Sequence, residues 1–150
     1  MSGGTAVAVA LTATAGLAGA VQAAVMGELG ERVGIFPAVA FSVIVALLLG
    51  LAALLVWERS FAGVRAAVHE PAWLWLGGLM SIYIVLAITV GPPRIGVAAT
   101  VGIVIAGNLV SAALIDRYGL FGQDVIPLDR WRLLGLLLLA VGAALSLSRT

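Results

Sequence analysis

Residues 33–57, VGIFPAVAFSVIVALLLGLAALLVW, decide the fold. The run carries no charge and is bounded by Glu31 and Arg32 on one side and Glu58 and Arg59 on the other. A helix rises 1.5 Å per residue, so about 20 residues cross a hydrocarbon core about 30 Å thick. The stretch therefore reads as a bilayer span. Upstream, Met1 to Gly27 is also free of charge, and TAVAVALTATAGLAGAVQAAVMG is long enough to cross. A secretory signal peptide would need a basic leading region, and Met1 to Thr5 has neither Lys nor Arg.

Downstream, the polar segment ERSFAGVRAAVHE leads to Pro71, which suits a helix start because its missing N–H is not needed there. The span that follows is stopped at Gly91-Pro92-Pro93, since prolines remove donors and push the preceding residue out of the helical region. A fourth apolar run lies between Arg94 and Asp116, and a fifth follows the loop DRYGLFGQDVIPLDRWR. The sequence thus predicts an all-α integral membrane protein of five transmembrane helices, over residues 5–27, 34–57, 71–91, 95–116 and 131–148, in a single membrane domain over 1–150. All four tryptophans, Trp57, Trp73, Trp75 and Trp131, fall at the ends of these runs. Counting crossings puts them at one membrane face, where amphipathic rings favour the headgroup layer.

Composition agrees. The chain is 63% hydrophobic and 10% charged, against roughly 25% charged in soluble domains, and its mean hydropathy is +1.20. With no cysteine it has no disulfide framework and no thiolate ligand. A net charge of +1 spread over short loops offers no basic stripe for nucleic acid. One histidine, His69, and no clustered acids argue against a metal site, a cofactor or an enzyme's catalytic constellation.

The arginines set orientation. Arg59, Arg65, Arg117, Arg130 and Arg132 lie on the side of the N-terminus; Arg32, Arg94 and Arg149 lie on the other. The excess favours a cytoplasmic N-terminus, narrowly. An odd span count with nearly balanced loops also suits a chain that inserts both ways. Two such chains would form an antiparallel homodimer, the arrangement that many carriers achieve with inverted repeats.

Three segments carry a resemblance: VQAAVMGELGERVG after an apolar start, PRIGVAATVGIVIAGNLVSAALIDRYGLFG across the fourth helix, and the short tail RLLGLLLLAVGAAL. Together they resemble the bacterial YdcZ-type family, a five-helix branch of the drug/metabolite transporter superfamily related to half of a ten-helix EamA-type carrier. The resemblance covers essentially the whole chain and implies half of an inverted-repeat bundle, an inner-membrane location and an exporter's role. Asn108 and Met26 depart from the family pattern, which usually has Gln and Asn there.

Polar groups inside the spans are the candidate functional residues, because lipid cannot satisfy them. Gln22 and Asn108 carry carboxamides with donors and an acceptor to satisfy. With Tyr83, Ser81 and Ser111 they are candidates for lining a substrate pathway; the competing reading makes them packing contacts worth about 0.6–2 kcal/mol. All seven carboxylates lie at or beyond span ends, which disfavours proton exchange on a central acid. Arg94, Asp116 and Arg117 are candidates for a gate or relay at the surface, with ion pairing and snorkelling as simpler accounts. Gly16 and Ala20, and Ala98, Gly102 and Ala106, form small-residue stripes suited to close helix packing. The function expected is a carrier subunit for a small polar or amphipathic metabolite, paired with its own copy or a related chain. The alternative is a non-transporting membrane subunit that binds another protein.

Overall fold

The structure is a computed structural model that describes residues 3–127 and 129–147. The expected end of the fifth helix at 148 and the charge of Arg149 lie outside the described residues. Among the described residues seven α-helices follow in chain order: α1 (Gly3–Val33), α2 (Ile35–Trp57), α3 (Ala62–Val68), α4 (Leu76–Val90), α5 (Pro92–Ile95), α6 (Val97–Tyr118) and α7 (Arg130–Leu147). Short 3-10 turns occupy Ala72–Trp75 and Leu120–Gly122, and the described residues contain no strand. Among the described residues four stretches are long and apolar enough to cross a membrane: Gly4–Val33, Ile35–Trp57, Ala72–Ile95 and Val97–Tyr118. The shorter apolar helix Leu133–Leu145 lies inside α7, whose 18 residues rise about 27 Å. The fold is an all-α membrane bundle.

Helix ends follow backbone chemistry more closely than charge. The first helix runs through Glu28, Glu31 and Arg32 to Val33, and Glu28 pairs with Arg32 across one turn at 2.7 Å. Both partners are exposed, so the pair adds little stability. The helix ends where Gly34 takes φ 95° and ψ 154°, and α2 begins at the next residue. At Gly91, α4 gives way to the single turn of α5, which starts on Pro92 and Pro93.

The chain divides into two compact units. One is Val25–Val90, holding the end of α1, then α2, α3 and α4. Its buried side chains are Met26, Ala38, Val39, Val85, Ile88 and Thr89. Gly30 lets α1 and α4 touch: a Cβ there would stand 2.7 Å from Thr89 Cγ2. The other unit takes the described residues of 1–24 and 91–150. In it α6 packs along α7, with Gly102 so placed that a Cβ would meet the Ala143 Cα and Cβ at 3.7 Å. Ala99 and Thr100 are buried at the start of α6. Most other apolar side chains face outward, as they do in a chain solvated by lipid or by a second chain.

Candidate functional site

Two threonines near the buried ends show how in-span hydroxyls are satisfied. Thr89 donates to the Val85 carbonyl at 2.7 Å and Thr100 to the Gly96 carbonyl at 2.8 Å, each returning its proton to the preceding turn. These hydroxyls are occupied within their own helices.

The carboxamides are arranged differently. Gln22 on α1 and Asn108 on α6 are exposed on the single chain. Asn108 and Ser111 lie three residues apart on α6 and share a face, and Ser111 is also exposed. On α4, Ser81 and Tyr83 are both exposed, Tyr83 at 66%, but residues two apart on a helix do not face each other. Only one of the two can therefore contribute to any given surface. Ser81 and Tyr83 belong to the Val25–Val90 unit, the other candidates to its counterpart.

A cavity of about 210 Å³ opens between α6 and α7. Leu109, Ala112, Ala113, Gly135, Leu136 and Leu139 give it apolar walls, and half-buried Asp116 completes the lining. The small side chains of Ala112 and Ala113 and the bare Gly135 leave the room. Of the polar candidates read from sequence, Asp116 alone lines this space; Asn108 and Ser111 precede its first and second α6 walls by one residue. The apolar wall was not foreseen, because it depends on which helix pairs with α6, and no polar residue of α7 signals that pairing.

Asp116 is held by the chain that follows it. Its carbonyl accepts the Ile126 N–H at 2.8 Å, tying the loop after α6 back to the helix. Arg117 lies over the neighbouring Tyr118 ring at 5.9 Å from the centroid, and Arg130 over Trp131 at 5.8 Å. Such cation–π contacts at exposed sites are worth about 0.5–1 kcal/mol. Arg94 is exposed on α5. Of the packing stripes, Gly102 meets α7, Ala20 and Ala106 are half-buried, Ala98 is exposed, and Gly16 has open space beside it. Among the described residues no three His, Cys, Asp or Glu side chains gather as a metal site would require.

Long apolar helices, charge confined to their ends, and polar side chains carried within the spans define a multi-spanning helical membrane protein. Residues 7–145 match the family model described as "Putative inner membrane exporter, YdcZ", and the chain belongs to that family. No curated protein and no solved structure matches it.

Proposed function

We propose that the chain is one half of a secondary carrier that exports a small polar or amphipathic molecule across the inner membrane, working as an antiparallel pair by alternating access. Membership in an inner-membrane exporter family supplies the class. The observation that carries the rest is the exposure of Gln22 and Asn108 within apolar spans. A carboxamide facing hydrocarbon costs several kcal/mol, whereas one facing a second chain or a polar pathway has partners. The near balance of arginines, five on one side and three on the other, supports insertion in both orientations. Asn108, Ser111 and Gln22 are then the route-lining residues offered by one unit and Tyr83 or Ser81 that offered by the other, each taken by itself, while Arg94, Asp116 and Arg117 act at the two surfaces.

The test is counterflow in proteoliposomes with a panel of labelled polar and amphipathic metabolites, beside cross-linking of the same samples. The expected result is that Asn108→Ala and Gln22→Ala lower flux at least about tenfold, a loss of about 1.4 kcal/mol in transport, while the dimer persists. Loss of the dimer with each substitution, and no flux for any member of the panel in the parent protein, would instead favour a non-transporting subunit bound to another protein.

A further inference from the structure

The four residues Arg32-Val33-Gly34-Ile35 return as Arg94-Ile95-Gly96-Val97. Their backbones repeat as well: Gly34 has φ 95° and ψ 154°, Gly96 has φ 80° and ψ 158°. This region is essentially closed to any residue with a Cβ. In both places the glycine N–H donates to the carbonyl four residues back, Gly30 at 3.0 Å and Pro92 at 2.9 Å. In both, the glycine carbonyl accepts from the residue four ahead, Ala38 and Thr100, each at 3.1 Å. One helix ends and the next begins on a single residue, without a loop.

Burial repeats at the same offsets. Ala23, Met26 and Gly27 are buried before the first corner; Val85, Ile88 and Thr89 are buried before the second. Ala38 and Thr100 are buried after them. The helices that leave the corners have nearly equal lengths, 23 residues for α2 and 22 for α6. The two corners are separated by two crossings, so the repeat is parallel and both corners fall at the membrane face opposite the N-terminus.

Away from the corners burial stops. In the Val25–Val90 unit, α2 from Ala40 to Trp57 and α4 from Leu76 to Ile84 have no buried residue, while the ends of α1 and α4 meet at Gly30 and Thr89. In the other unit, Gly91 is pressed against Thr100, where a Cβ would come within 2.5 Å, and no described residue of α6 after Thr100 is buried.

We infer that residues 23–39 and 85–101 are two copies of one helix–glycine–helix element, and that their corners are fixed pivots at one membrane face while helix movement takes place toward the other. A corner with no loop, a glycine bonded through both its N–H and its carbonyl, and a conformation reserved for glycine has little freedom, whereas helix segments with no buried side chain shift more readily. The pivot claim concerns the chain's mechanics and rests on the carrier reading only in assigning that movement to transport.

The absence of cysteine allows a direct test by paired spin labels in lipid nanodiscs, with labelled chain diluted in excess cysteine-free chain. One pair, Ala40→Cys with Ala87→Cys, spans α2 and α4 near the corner end; the other, Leu55→Cys with Leu79→Cys, spans them near the tryptophans. The corner pair is expected to give one narrow distance, and the distant pair a distribution at least about twofold wider. Equal widths, or a wider corner pair, would overturn the inference. Gly34→Ala is expected to broaden the corner pair, whereas Gly50→Ala, beside which no atom lies within 4 Å, is expected to leave it unchanged. Gly34→Ala and Gly96→Ala should lower thermal stability by similar amounts, and an effect confined to one would refute the repeat. A chain that shows the width contrast but moves no substrate keeps the pivots and removes the carrier reading.

Discussion

Thr89 is 1% exposed and sits against Gly30 with its methyl group where an alanine Cβ would need to be. Its side chain cannot turn away, because a β-branched residue in a helix has few rotamers and its hydroxyl is held on the Val85 carbonyl. Gly30→Ala should therefore destabilise the protein by about 1–3 kcal/mol, the usual cost of overpacking. Thr89→Ser removes the methyl and keeps the hydrogen bond, so the double variant should regain most of the lost stability in thermal unfolding. The matching experiment at Gly91 should end differently. There an added Cβ meets Thr100 Cγ2 at 2.5 Å, Oγ1 at 2.6 Å and Cβ at 3.1 Å, so Thr100→Ser relieves one contact of three and should not rescue Gly91→Ala. The sequence made Gln22, Asn108 and Asp116 visible as polar groups in or beside spans, because their cost in lipid is independent of fold. It gave no sign of the partnership between Gly30 and Thr89, which depends on the packing of two helices far apart in the chain.

At the level of elements, the spans were legible because each is a long uncharged run bounded by charge, and that pattern is imposed by the bilayer alone. Their ends were less legible, for a physical reason: charge marks where lipid stops, while a helix stops where its backbone can no longer continue. Glu28, Glu31 and Arg32 are tolerated on the last turns of α1, exposed beyond the apolar run, and Gly34 ends the helix. Glu28→Gln, which removes the pair with Arg32, should change stability by less than about 0.5 kcal/mol in thermal unfolding and leave the helix content of the circular dichroism spectrum unaltered. Pairing of α6 with α7 makes a stronger demand. At Gly102 an alanine would make ordinary contact with Ala143 at 3.7 Å and should be tolerated, whereas Gly102→Leu would drive the helices apart and cost about 1–3 kcal/mol. The same variant should alter the α6/α7 cavity, so a loss of flux without unfolding would tie that space to transport.

For the whole molecule, the decisive quantity is the small asymmetry of arginines across the membrane. Five lie on the side of the N-terminus and three on the other, and each is worth little against the insertion of spans as apolar as α2. A change of a few charges should therefore fix the orientation. Ser60→Arg with Ala66→Arg raises the existing bias to seven against three, and Arg59→Ser, Arg65→Ser and Arg130→Ser combined with Glu28→Arg and Glu31→Arg reverses it to two against five. A single cysteine placed at Gln123 reports orientation, through labelling by a membrane-impermeant maleimide added to intact cells. If two antiparallel chains make the carrier, the parent protein should label from both sides, and each biased variant alone should label from one side and lose most of its flux. Expressed together, the two variants should recover it, because each supplies the orientation that the other lacks. Full flux from a variant locked in one orientation would require a parallel or single-chain carrier, and the exposed carboxamides of Gln22 and Asn108 would then have to find their partners along a parallel interface.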